Sequence, residues 1–304
     1  MSRTATIDAN ERRPITEWLL DAAAPRFGLF VTWLLCLFAI VLAFSPIEFS
    51  SGVRSAQGAS LFSWLPEALL RSGPFFTGVR VVLAVSAVCW ILRVAVPVSC
   101  WVTTFAFTLM WSLRMENLTN GAHIFNVTNM LMFIHALWYQ FYWREMKLGI
   151  DAGTLWKTAC YPRWAFMLSL FYLGWFHTLA GLTKIINSGF GWGNGVSLQL
   201  WTELFGNTST PFAQTILFDS RLTAVMQTGA LVIECVSILC IFNRWLRYGV
   251  GIGLTGFYIG VLTTFVTFGF HFNAVLVALF LLPVDWLVGL KFNNENQSEI
   301  DGVQ

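Results

Sequence analysis

The chain has 304 residues, 56% of them hydrophobic and only 11% charged, with a formal net charge of +2 and a mean hydropathy of +0.65. Soluble domains carry about 25% charged residues, so this composition excludes an ordinary water-soluble enzyme and indicates an integral membrane protein. The net charge says little about partners, because in such a protein the sidedness of charge matters more than its sum; the expected surroundings are the lipid bilayer, with no nucleic-acid partner.

Residues 1–26 are read as a polar N-terminal tail without a cleavable signal peptide, because no apolar run precedes residue 27. Apolar runs of about 17 to 25 residues can each cross a bilayer core about 30 Å thick. Such runs fall near 27–44, 75–96, 98–113, 124–143, 164–185, 222–242, 246–268 and 271–290. Pro97 separates the second from the third, since proline disfavours helix at the residue before it. The stretch 246–290 is too long for one crossing and is split around Phe270–His271. The expected fold is therefore all-α: a polytopic integral membrane helical bundle of about eight transmembrane helices over 27–290, followed by a polar tail over 291–304.

Eight crossings put both ends on one side. Twelve of the 18 basic residues then fall on that side, including Arg144, Lys147, Arg163, Arg244, Arg247 and Lys291. This bias predicts cytoplasmic N- and C-termini in a cell membrane, a bacterial inner membrane being the expected setting. The segment 186–221 is neither apolar enough to span nor polar enough to be free loop. Its Trp192, Val196, Leu198, Leu200, Trp201, Leu204 and Phe205 fit an outer interfacial or re-entrant element, either a cap over the outer mouth or an aromatic belt. The six cysteines, Cys36, Cys89, Cys100, Cys160, Cys235 and Cys240, show no metal-ligand spacing and read as small apolar residues; no metal is expected.

Ionisable residues inside spans are costly and are functional-site hypotheses by default. His123, His135, His177, Lys184 and Glu234 qualify. His177, Gly181 and Lys184 have the i, i+4, i+7 spacing that puts them on one helix face, and the small Gly181 lets a neighbour or ligand approach closely. A lysine stripped of water can act as a base near neutral pH; one near a helix end can also simply snorkel to the interface. Glu234 at mid-span cannot snorkel. It either takes part in chemistry or pairs with a group on another helix, His177 or an arginine. At 1.5 Å rise per residue, His177 sits about 10 Å deeper than Lys184, which places Glu234 nearer in depth to His177. His123 and His271, at the outer starts of the fourth and eighth spans, either look into the same vestibule as Lys184 or are interfacial. Asn126 and Asn129 form a polar stripe below His123, suited to helix pairing or to lining a cavity. Arg80 and Arg93, near the ends of the second span, fit snorkelling.

The segments FYLGWFHTLAGLTKI, Trp192 with Gly195, VIECVSILCIFNRWLRYG and VALFLLPVDW resemble the horizontally transferred transmembrane (HTTM) domain, the family of the vitamin K-dependent gamma-glutamyl carboxylases. The resemblance covers residues 25 to 290 in topology and about 165 to 286 in motifs. It implies a lysine base that activates a reduced quinone, the matching position being Lys184, and a family glutamate at Glu234 ahead of the basic residues Arg244 and Arg247. Three features depart from the family pattern. Eight positions separate Lys184 from Trp192, with no acidic residue before the tryptophan; Phe257 or Tyr258 stands where relatives carry a histidine; and the large lumenal domain of the carboxylases is not found before Gln304. Shorter bacterial members, including the membrane partner in sporulation-delaying toxin systems, imply a role in maturing a secreted peptide. Two expectations follow. One is a membrane-embedded enzyme, carboxylase-like or quinone-dependent, with Lys184 as base in an outer-facing lipophilic pocket and His177 and Glu234 in support. The other is a non-enzymatic partner or transporter handling a secreted peptide or a small lipophilic molecule.

Overall fold

The computed structural model describes residues 25–45, 65–70, 72–117, 125–146, 161–264 and 270–283. Among them every regular element is helical. The long helices are α1 (Pro25–Phe44), α3 (Gly73–Ile91), α4 (Val98–Asn117), α5 (Asn126–Met146), α6 (Arg163–Ser188), α9 (Ser220–Val236), α10 (Arg244–Thr264) and α11 (Phe270–Leu281). Short helices are α2 (Glu67–Leu70), α7 (Val196–Phe205) and α8 (Pro211–Phe218). Two 3₁₀ turns, Phe190–Asn194 and Ser237–Ile241, precede α7 and continue α9.

Four described stretches are long and apolar enough to cross a membrane: Phe27–Phe44, Gly73–Ile91, Arg163–Ser188 and Ser220–Ile241. The outer surface of α6 shows how such a helix meets its surroundings. Leu168, Phe171, Trp175, Leu179, Leu182 and Ile186 recur every three or four residues and are all at least 40% exposed. Six large apolar side chains in one exposed stripe would be a liability in water and are the natural face toward lipid.

The opposite face of α6 is built of small residues. A Cβ on Gly174 would lie 2.9 Å from the Ser237 carbonyl, and one on Gly181 would lie 2.8 Å from both the backbone N and the Sγ of Cys235. Only glycine lets the two backbones come this close. Residues 174 and 181 thus face 237–240 and 234–235 in reverse order, so α6 and α9 run antiparallel. Between the two glycines, the Thr178 hydroxyl donates to the Cys235 carbonyl at 3.4 Å and accepts the Ile238 N–H at 2.9 Å. These bonds satisfy backbone groups where α9 tightens into its 3₁₀ continuation, a change that the hydropathy pattern of 222–242 does not signal.

The expected spans begin within two residues of helix starts, while 284–290 of the last lie outside the described residues. The break expected at Phe270–His271 adjoins residues 265–269, which lie outside the described residues, and the last described residue of α10 is Thr264. There the Thr264 carbonyl accepts the Asn207 N–H at 2.8 Å, tying α10 to the loop after α7. Arg80 does more than snorkel: its Nη2 donates to the Ser45 carbonyl at 2.8 Å, placing a cation on the carbonyls that end α1. Asn129 pairs helices, with its Oδ1 2.7 Å from the Thr108 hydroxyl on α4. Cys36, Cys100 and Cys240 are buried free thiols, and Cys160 lies outside the described residues.

Candidate functional site

Lys184 stands one turn before the end of α6, and its Nζ lies 2.5 Å from Glu234 Oε2 on α9. The carboxylate side chain is 4% exposed and the lysine 27%. Glu234 is therefore paired with Lys184, not with His177 or an arginine as its backbone depth implied. The reason is the direction of the side chains. In any α-helix the Cα–Cβ bonds tilt toward the N-terminus. Along antiparallel α6 and α9 the long lysine stem runs down α6 while the glutamate runs up α9, so the two charges converge on the level of Gly181 between them. Consistent with that geometry, a Cβ at Gly181 would approach Glu234 Cβ to 3.0 Å. A carboxylate in so dry a place needs a partner with excellent geometry, because breaking such a pair strands a buried charge.

Above the ion pair the chain turns back over Lys184. Gly189 caps α6 with φ +64°, and its N–H reaches the Ile185 carbonyl at 2.7 Å. The following 3₁₀ turn carries Trp192, whose ring centroid lies 4.6 Å from Lys184 Nζ, a cation–π contact. Gly195 then takes φ +91°, and a Cβ there would meet the Ala224 backbone N at 2.9 Å. The turn is fastened to α9 by Gln227, which is buried. Its Nε2 donates to the Trp192 carbonyl, and its Oε1 accepts the Leu198 N–H at 3.0 Å. Thr228 adds a hydroxyl bond to the Gly193 carbonyl at 2.9 Å. Sequence reasoning missed Gln227. An uncharged amide in an otherwise apolar span, opposite a glycine-rich turn with unpaired backbone groups, was the available signal.

Two turns below Lys184 on the same face, His177 is buried. Its Nδ1 lies 2.7 Å from the Leu173 carbonyl, which can only accept, so Nδ1 carries the proton. Nε2 therefore accepts from the Tyr258 hydroxyl at 3.0 Å on α10. Tyr258 is also hydrogen-bonded by buried Asn273 of α11. The polar chain thus runs from Asn273 through Tyr258 and His177 to a backbone carbonyl, and it joins three helices.

The structure thus brings Lys184, Glu234, Gly181 and Trp192 together, with His177 below them. His271 is exposed at the start of α11, and Asn126 begins α5, where its carbonyl accepts the Tyr172 hydroxyl at 3.4 Å. His123 lies outside the described residues. His135 is buried elsewhere, between Thr32 and Tyr161. An open apolar cleft is lined by Trp164, Met167, Leu168, Phe171 and Ile241, at the opposite end of α6 from Lys184. No group of three or more metal-ligating side chains occurs among the described residues. Comparison with protein-family models, curated proteins and solved structures gives no match.

Proposed function

We propose that the chain is a multi-pass membrane protein of the HTTM, carboxylase-like type, and that it uses Lys184 as a base beneath the Trp192 turn. The observation that carries this reading is the Lys184–Glu234 pair, buried on the carboxylate side and covered by an aromatic ring on the amine side. In water such a pair would be two solvated ions. In an apolar site the ionic form and the neutral amine–carboxylic acid form come closer in energy, because the buried carboxylate has lost its hydration. A proton can then pass from Nζ to Oε2 across 2.5 Å, leaving a neutral amine able to take a proton from a hydroxyl presented from the Trp192 side. A reduced quinone, with an acidic ring hydroxyl and an apolar body, is the reactant class to which this arrangement and the family resemblance both lead. Eight crossings with both termini cytoplasmic would put the site in the outer half of the membrane.

The test uses membranes carrying the full chain, a reduced naphthoquinone and dissolved dioxygen as the oxidant of its deprotonated form, with oxidation above the spontaneous rate followed by absorbance. Lys184→Arg keeps a cation for Glu234 but removes a group able to act as base. It should lower the rate at least about 100-fold while the protein accumulates normally. Equal rates with and without the protein, or equal rates for the parent and the Lys184→Arg variant, would set the base aside. A second reading, a non-enzymatic partner for a secreted peptide or lipid, is favoured by the closure of the polar groups: Lys184, Glu234 and His177 all have partners within the protein. On that reading Lys184→Arg supports the host phenotype fully.

A further inference from the structure

Helix α7 is built the wrong way round for a cap that meets water. Val196, Leu200, Trp201, Leu204 and Phe205 are 47% to 61% exposed, and within the helix Thr202 alone is buried. Its first-turn N–H groups find partners in the protein itself. The Val196 N–H donates to Asn194 Oδ1, the Leu198 N–H to Gln227 Oε1 and the Gln199 N–H to the Gly195 carbonyl, each at 3.0 Å. The Gln199 side-chain amide donates inward, to the Ile216 and Leu217 carbonyls of α8 at 3.2 Å. A helix start in water is satisfied by the solvent; beside hydrocarbon, its N–H groups need partners within the chain.

The level of α7 points the same way. Gly181 lies against Cys235, so along antiparallel α6 and α9 the last residue of α6, Ser188, is level with Thr228, next to Gln227. Gln227 holds the first turn of α7. That turn therefore starts at the level where the exposed apolar stripe of α6 ends with Ile186. Leu222 and Val225 of α9 and Phe218 of α8, on the two helices packed with α7, are exposed as well. Where the lipid-facing stripe of α6 stops, α7 and its neighbours take up the exposed apolar surface.

The same bonds tie α7 to the turn above the ion pair. Gln227 grips both the Leu198 N–H and the Trp192 carbonyl, so α7 and the ring over Lys184 are fastened as one piece. We propose that α7 is a lipid anchor: its exposed face lies among acyl chains at the edge of the leaflet on the Lys184 side, and this seating holds the Trp192 ring over Lys184. The proposal rests on the membrane reading of the chain and not on Lys184 acting as a base.

The test uses the full chain in phosphatidylcholine nanodiscs, with spin labels at Leu200→Cys and Leu204→Cys and the parent as blank for its own cysteines. Dioxygen, which partitions into lipid, should relax both labels at least about threefold more than a water-soluble nickel chelate does, and Ser209→Cys should show the reverse. Leu200→Ser combined with Leu204→Ser weakens the seating and should raise acylation of Lys184 at least about threefold, counted by peptide mass spectrometry. In the parent, a phosphatidylcholine carrying a photoreactive diazirine on its acyl chain should leave adducts on residues 196–205, as on the exposed stripe of α6. Labels relaxed mainly by the nickel chelate would show a face turned to water and overturn the proposal. Adducts on α6 without any on 196–205, or a double variant whose Lys184 reacts at the parent rate, would do the same. None of these readouts requires turnover, so their outcome is separate from that of the quinol assay.

Discussion

Among the described residues two buried histidine–tyrosine pairs occur, in different surroundings. In the first, the Tyr161 hydroxyl donates to His135 Nε2 at 3.2 Å, and His135 Nδ1 donates to the Thr32 hydroxyl at 3.0 Å. Thr32 in turn donates to the Gly28 carbonyl at 2.9 Å, so this chain closes on the backbone of α1. Trp138, Tyr139 and Phe27 surround it, all buried. In the second, Tyr258 and His177 end on the Leu173 carbonyl in the same manner, but the Lys184–Glu234 pair stands two turns above on the same face of α6. The same hydrogen-bond pattern therefore serves as a knot between helices in one half, and as the floor under a charged pair in the other. A buried histidine is not by itself a functional mark; a charged pair placed beside it in an apolar interior is.

The sharpest way to break both halves is steric. A Cβ at Gly28 would lie 2.5 Å from the Tyr161 ring, and one at Gly181 would lie 2.8 Å from Cys235. Gly28→Val and Gly181→Val should each cost about 3 kcal/mol or more, read as a lowered melting temperature or loss of monodisperse protein in detergent. Next comes charge. Lys184→Met leaves Glu234 buried without a partner and should cost about 3 kcal/mol, with no counterpart near His135. The histidines themselves separate the halves. His135→Phe and His177→Phe each remove the ring nitrogen that accepts a tyrosine hydroxyl and should cost about 1 to 3 kcal/mol in thermal unfolding. Only the second should also lower quinol consumption; an equal effect of both on activity would erase the distinction. The smallest effect is expected at the turn. Trp192→Leu removes a cation–π contact worth about 1 kcal/mol and should raise the reactivity of Lys184 toward an amine-directed acylating reagent, counted by peptide mass spectrometry.

Much of the fold was legible because the bilayer asks little of a helix beyond a run of apolar residues; hence the segments around 27–44 and 164–185 matched α1 and α6 closely. The candidate site was legible as a set of residue types, because a lysine and a glutamate inside apolar runs are costly wherever they point. Their pairing was not. Counting depth along backbones ignores that antiparallel helices aim their side chains at each other, and that a lysine stem reaches more than one turn. The 3₁₀ turn after Val236 and its satisfaction by Thr178 were equally hidden, since a threonine in an apolar helix reads as filler until a carbonyl is placed beside it. Tyr258 was visible only as one of two residues standing where the resembling family has a histidine.

The Lys184–Glu234 contact is the centre of the account, and a double-mutant cycle tests it most directly. Thermal unfolding of the full chain in one detergent would compare Lys184→Met, Glu234→Gln and the double variant with the parent. If the side chains pair as described, the double variant should cost no more than the worse single change, with a coupling of at least about 1 kcal/mol. Strictly additive costs would contradict the pairing and, with it, the proposed base.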